Sequence, residues 1–392
     1  MRKITVLLVC IVAIQNTIAQ ERVITTAVPF LLIAADARAA SMGDLGIATS
    51  ADVFSQQWNP AKYAFAVEKT GVGVSYTPYL TDLVNDISLG QLNYYNRFTE
   101  RSAFAASLRF FGLGDIELRE NFDDVPFVVS PNELAVDVSY SLQLSSSFSM
   151  AVAGRYIRSQ LRIPDALGDA TPAGTFAVDV AGYYQSEELA FDDFNGRFRG
   201  GFNFQNMGPK MNYNAETSDL TANFLPSNMK LGGGFDFIFD EYNKITLNAE
   251  VNKLLVPTPQ EIIGVDINGD GLVNGTDTTI INDQYNSIGW VSGMFQSFSD
   301  APGGLSEELK EFTWALGAEY SYQDAFLFRL GYFNENEDKG ARKFFSFGAG
   351  FKYNVVKIDV SYLMSASNVR NPLENTLRFS LTFNFGDKYD EY

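Results

Sequence analysis

The sequence has no histidine and a single cysteine, Cys10. Without imidazole there is no Ser-His-Asp or Cys-His machinery, no histidine zinc site and no general base of the usual neutral-pH kind. Positive charge is also scarce: 29 Lys+Arg against 47 Asp+Glu give a net charge of -18. That balance excludes nucleic acid as a partner, because binding a polyanion needs a surplus of cations. Long apolar runs are missing after Gln20, where nothing approaches the roughly 18 to 20 residues a spanning helix needs. A helical membrane protein is therefore excluded. Mean hydropathy is -0.06, but a chain that alternates apolar and polar residues averages near zero in water or in a membrane wall.

The first residues read as an address. Arg2 and Lys3 precede an apolar stretch over 4–14, and Thr17-Ile18-Ala19 supplies a small residue before a cut ahead of Gln20, predicting a signal peptide over 1–19. Cys10 lies inside it, and Val9 is too bulky for the position before a lipid-anchored cysteine. An exported chain without cysteine is expected to have no disulfides.

Strict two-residue periodicity fills the rest. Leu134, Val136, Val138, Tyr140 and Leu142 alternate with Ala135, Asp137, Ser139 and Ser141, giving one greasy face and one small or polar face. Similar runs predict strands near 71–79, 86–96, 102–111, 133–143, 148–158, 175–185, 197–207, 228–239, 244–252, 313–322, 325–332, 344–353, 356–365 and 376–385. The pattern at 86–96 slips near Gly90-Gln91, which suggests a bulge, and the link 186–196 is long for a turn. Tight and long connections alternate, so they fall on opposite rims of an up-and-down barrel. The expected fold is all-β: a transmembrane antiparallel barrel of about 14 strands over 71–392, with termini towards the periplasm and long extracellular loops, 253–312 the longest.

The polar face carries both signs: Arg109, Arg155, Arg329, Lys352 and Arg378 with Asp137, Asp179, Asp236, Glu250, Glu319 and Asp359. A soluble sandwich would expose these residues, but its opposite faces are so rich in Phe and Tyr that they would make an oversized core. A closed wall in lipid suits them better. The three Trp and the many Tyr are expected in interfacial girdles. Acidic clusters at Glu117, Glu120, Asp123 and Asp124, at Asp165 and Asp169, and at Glu335, Glu337 and Asp338 read as solvated loops near lipopolysaccharide or as a cargo-docking rim.

Residues 20–70 do not alternate and read as an N-terminal periplasmic hatch or plug. Asp36-Ala37-Arg38-Ala39-Ala40-Ser41-Met42-Gly43, Gly46-Ile47-Ala48-Thr49-Ser50-Ala51-Asp52 and Trp58-Asn59-Pro60-Ala61 resemble the amino-terminal signature of the PorV/PorQ group of FadL-like outer-membrane barrels. Length, the long fifth outer loop and the Phe-rich end are most similar to the PorV (LptO) branch. The resemblance implies a non-enzymatic component of type IX secretion. Such a protein captures the C-terminal signal domain of cargo at a SprA-type translocon and delivers it to a PorU-type sortase, amid outer-membrane lipid and lipopolysaccharide. The alternative is a FadL-like importer of hydrophobic small molecules, against which the charged inner face counts. An enzyme is disfavoured by the lack of His and of a mature Cys. Gly43 and Gly46 are expected to serve turns and close packing, and Asn59-Pro60 a turn start.

One sharp chemical motif lies in the longest loop, at 266–277. Asp266, Asn268 and Asp270 place oxygens at alternate positions, Gly271 permits a reversal, Leu272 offers its carbonyl, and Asn274 and Asp277 complete a Ca²⁺ loop. Asp277 stands where an EF-hand has Glu, as in the dockerin-type loops this segment resembles. An Asn/Asp/Gly-rich turn without metal is the plainer reading.

Overall fold

The computed structural model describes residues 23–81, 84, 86–119, 123, 125–161, 171–213, 222–259, 269, 283–367 and 372–389. Its first strands are β1 (Glu68–Pro78), β2 (Ile87–Thr99) and β3 (Ser102–Leu113), followed by a small hairpin, β4 (Ile116–Leu118) and β5 (Phe127–Val129). Next come β6 (Asn132–Gln143), β7 (Phe148–Gln160), β8 (Ala173–Gln185), the two-residue β9 (Leu189–Ala190) and β10 (Asn195–Met207). The remainder are β11 (Asn228–Ile238), β12 (Asn243–Leu254), β13 (Phe312–Tyr322), β14 (Phe326–Asn334), β15 (Lys343–Tyr353), β16 (Val356–Ser365) and β17 (Leu377–Lys388).

Setting aside β4, β5 and β9, fourteen strands form one antiparallel wall in sequence order. β17 returns to β1, with Val72 opposite Phe383. That pairing leaves no edge, as hydrocarbon demands, since each unpaired N–H or C=O there costs several kcal/mol.

Alternation sorts the side chains as the sequence predicts. On β3, Phe104 and Leu108 face out while Ser107 and Arg109 are buried inside; on β13, Leu316 and Tyr320 face out and Glu319 is buried. The outward face carries two bands of rings. Phe98, Phe104 and Tyr140 cluster near the short-turn rim, and Trp314, Tyr332 and Phe345 near the other. Such bands mark the two membrane–water boundaries.

The strands expected from sequence are all present, β1 starting at Glu68 instead of 71 and β17 ending at Lys388 instead of 385. The bulge expected at Gly90-Gln91 is absent: β1 and β2 pair without interruption from Thr70↔Asn96 to Pro78↔Ser88. The pattern looks broken there because Leu89 and Tyr95, though apolar, point inward. Leu89 joins an internal apolar cluster, and the Tyr95 ring stacks 5.0 Å from that of Tyr63. The long link 186–196 is a hairpin extension in which β9 adds to β10.

Candidate functional site: the filled lumen and the long-loop rim

The lumen is occupied by the chain's own segment ahead of β1, which is buried almost throughout from Ala27 to Ala66. Its short helical turns carry their own caps. The Asp36 carboxylate accepts from the Ala39 N–H at 2.8 Å, and the Asn59 side chain accepts from the Ala61 N–H at 3.1 Å just before Pro60. Asp36 also accepts from the Trp58 indole at 2.7 Å, tying together two motifs that lie twenty-two residues apart. Gly43 has φ 82, and a Cβ there would sit 2.8 Å from the Tyr332 carbonyl oxygen. A Cβ on Gly46 would lie 2.4 Å from the Trp58 ring, and one on Gly331 of the wall 2.1 Å from the Met42 carbonyl carbon. These glycines let segment and wall close on each other without side chains between them.

Polar bonds then fasten the segment to the wall all round. The Gly46 and Ile47 N–H groups donate to Glu250 of β12 at 2.8 and 3.0 Å, the Gly43 N–H to Ser346 of β15 at 2.8 Å, and the Ala37 N–H to Ser380 of β17 at 2.8 Å. From the opposite wall, Arg109 of β3 donates to the Leu31 carbonyl at 2.9 Å, Ser149 of β7 to that of Ala61 at 2.8 Å, and Asn203 of β10 to that of Trp58 at 2.7 Å. Lys62, fully enclosed, donates to the Gly46 carbonyl at 2.7 Å and to Thr49 at 3.0 Å.

The strongest tie is ionic. Arg38 grips Glu319 of β13 with two nitrogens, at 3.0 and 3.2 Å, and reaches Asp52 at 2.8 Å. Glu319 in turn accepts from Arg329 of β14 at 2.5 Å, and Arg329 bonds Asp359 of β16 at 2.7 Å. A second lattice joins Arg155 to Asp137 and Asp179, and a third joins Arg199 to Asp236. Buried charge costs several kcal/mol per ion unless it is paired and hydrogen-bonded. Each of these ions is paired.

Charge does not fill the whole interior. Towards the long-loop rim, Val28, Phe30 and Leu31 pack with inward Leu89, Phe111, Ala135, Ile157, Met211 and Leu225. A recess of about 440 Å³ opens there, lined by Thr26–Pro29, Leu161, Tyr213 and Asn223.

The rim beside β12 is held by another charged cluster. Lys253 bonds Glu311 at 2.6 Å and Glu308 at 3.2 Å, while Lys339 bonds Glu311 at 3.0 Å and Glu307 at 2.8 Å. Thr258 donates to Glu311 at 2.6 Å and, through its backbone, to Asp300 at 3.1 Å. Burial pushes the Glu311 carboxyl up, but hydrogen bonds from Lys253, Thr258 and Lys339 outweigh it and leave the group below its ordinary value. Sequence reading missed this cluster, because Lys253 stands at the end of β12 while its partners lie on two links with no periodicity.

The eleven luminal charges expected from alternation are placed as follows. Ten are buried inside, and Lys352 lies inward at the short-turn rim, bonded to Glu68 at 3.0 Å. Of the three Trp, only Trp314 is in a girdle; Trp58 is enclosed in the lumen and Trp290 lies on the loop helix Trp290–Gln296. The acidic residues Glu335, Glu337 and Asp338 are not a free rim: each meets a cation, Arg342 at 2.8 Å, Lys343 at 2.7 Å and Lys310 at 2.6 Å. Asp165, Asp169, Glu120 and Asp124 lie outside the described residues, as does the signal peptide 1–19. So do the proposed Ca²⁺ ligands Asp266, Asn268, Asp270, Leu272, Asn274 and Asp277; of that loop Gly269 alone is described, with φ 76.

A closed wall with an apolar exterior, girdled at both rims and filled by its own N-terminal segment, defines an outer-membrane β-barrel. The sequence model of the family described as "Type IX secretion system protein PorV" matches residues 16–261, and the chain belongs to that family. It is an outer-membrane component of type IX secretion. Among solved structures, a deletion mutant of the TodX monoaromatic hydrocarbon channel is similar with TM-score 0.50 at 12% identity, covering 89% of this chain and 98% of that one. The Ralstonia pickettii toluene transporter TbuX gives TM-score 0.47 at 12% identity, over 91% and 100% of the two chains. A Pseudomonas aeruginosa FadL homologue gives 0.44 at 11%, over 91% and 99%. At such identities the likeness speaks to fold alone. No curated protein sequence matches the chain.

Proposed function

We propose that this barrel is a non-enzymatic cargo shuttle whose working surface is the long-loop rim and whose lumen is not the conduit. The observation that carries the reading is the filled interior: the inner segment is bonded to the wall on every side, through Glu250, Ser346, Ser380 and Glu319 and through Arg109, Ser149 and Asn203. A polypeptide cannot pass without dismantling those bonds. With both termini towards the periplasm, the long loops face outside the cell. There they receive the C-terminal signal domain of cargo leaving a SprA-type translocon and pass it to a PorU-type sortase. Tagged protein recovered from membranes is expected to bring down translocon, sortase or cargo signal domains. If it brings down none of them and a knockout secretes normally, the shuttle reading fails.

A second reading has one observation in its favour, the apolar recess beside Val28 and Tyr213. It is import of hydrophobic small molecules, as in the transporters of similar fold. Uptake of a radiolabelled aromatic hydrocarbon into vesicles holding the barrel, above that of empty vesicles, would favour it. The ionic lattice below the recess predicts no uptake.

The loop 266–277 is proposed to bind Ca²⁺ through Asp266, Asn268, Asp270, Leu272, Asn274 and Asp277, a reading supported by residue spacing. Isothermal titration should give calcium heat that Asp270→Ala abolishes. Absence of heat from the unaltered protein removes the claim.

A further inference from the structure

The row of outward side chains on β12 ends in a residue that does not belong in lipid. Thr246, Asn248 and Glu250 are buried inside, while Leu247 and Val251 face out. Lys253 continues the outward row, opposite Met229 on β11 and Phe312 on β13. An exposed lysine at this level would stretch its ammonium towards the headgroups. Instead the Lys253 side chain is 0% exposed. Its cover is the segment 298–311: the ammonium lies 3.2 Å from Glu308, 2.6 Å from Glu311 and 5.8 Å from the centre of the Phe298 ring. This arm therefore lies against the outer surface of the wall.

We propose that the arm is an in-plane membrane anchor, its outer face sunk in the acyl chains of the lipid leaflet at the long-loop rim. The arm has two unlike sides. Glu308 and Glu311, three residues apart, point at Lys253, and the Ala301 N–H also bonds Glu308, at 2.8 Å. Leu305 and Leu309, four apart across the turn Leu305–Glu308 and the turn that follows it, share the other side. They are 75% and 62% exposed, and Phe298 is 45% exposed. Two leucines and a phenylalanine on one short arm are poor company for water. Phe298 of the arm and Phe312 of β13 flank the same Lys253 ammonium, their ring centres 5.8 and 5.3 Å away, and the row of Phe312 continues into the outward girdle residues Trp314 and Leu316, so the arm joins the lipid-facing belt at its edge. That continuity selects lipid as the occupant over a second protein.

The proposal rests on the membrane reading of the wall, and its test separates the two. Single cysteines are introduced at Leu305, Leu309, Ser306 and Phe328 in a Cys10→Ser background, spin-labelled, and reconstituted in phosphatidylcholine vesicles without other proteins. Heat-modifiable migration like that of the parent confirms that each variant is folded. Collisions with oxygen and with a water-soluble nickel chelate are compared. Labels at 305 and 309 should resemble that at 328, on the outward face of β14, with oxygen favoured several-fold, whereas 306 should favour the chelate. If 328 is shielded but 305 and 309 meet the chelate as freely as 306, the anchor is refuted and the wall stands. If 328 meets it too, the membrane reading falls and the anchor with it.

Discussion

Charge is buried in two places in this molecule, and the two are built differently. In the lumen, Glu319, Arg329 and Asp359 sit on β13, β14 and β16, and alternation alone turns them inward to join the network that Arg38 enters. At the outer rim, Lys253 is covered by residues of a link, Glu308 and Glu311, which must first be folded over it. The lumen lattice holds an interior in place, while the rim cluster holds down a flap. Removing a partner should therefore have global consequences in one and local consequences in the other.

The largest effect is expected from Glu319→Ala, which strips Arg38 and Arg329 of their shared carboxylate. Each buried cation then keeps one carboxylate, Asp52 or Asp359, in place of two, which should cost roughly 3–5 kcal/mol, seen as a fall in the heating temperature at which the folded band is lost on gels. An unchanged temperature would mean that the lattice does not fasten the inner segment. Gly331→Val should follow, since its side chain would enter the Met42 backbone; overpacking costs about 1–3 kcal/mol. Here protease should cut within 27–66 while the wall persists. Lys253→Met should cost about 1–3 kcal/mol at the rim, raising cleavage within 283–311 without lowering barrel stability. A fall in barrel stability comparable to that of Glu319→Ala would erase the distinction between the two regions.

The smallest effect concerns pH. Burial pushes Asp300 up from 3.8 to about 6, against the Thr258 N–H that favours its charged form. A carboxyl with a raised folded-state value binds its proton more tightly when docked. Its contribution is thus complete below about pH 4 and is lost as pH rises through about 6. Exchange protection around Thr258 and Asp300, corrected for the intrinsic rise of amide exchange with pH, should fall between about pH 4 and pH 6 and then level off, and Asp300→Asn should flatten that fall.

The barrel was legible because a wall with lipid on one side writes period two into every strand, and the ionic partners of the lumen came with it. Leu89 and Tyr95 were misleading for a physical reason: an apolar side chain can face inward when the interior is itself protein, so the apparent slip at Gly90-Gln91 is packing against the inner segment. Trp58 deceived in the same way, being a luminal hydrogen-bond donor and not a boundary residue. The motif glycines and Asn59 could be read as turns and close approaches from their type alone. The Lys253–Glu308–Glu311–Lys339 cluster could not. Its residues span three separate links or strand ends, and no local pattern brings them together.

The pairing of β1 with β17 makes closure depend on both ends of the wall-forming chain. The cylinder cannot seal until the last strand has been delivered, whereas the residues that occupy its axis come ahead of the first. A chain truncated before Leu377 would keep its filling but present two bare sheet edges, a template for sticking to its siblings instead of a vessel in the membrane.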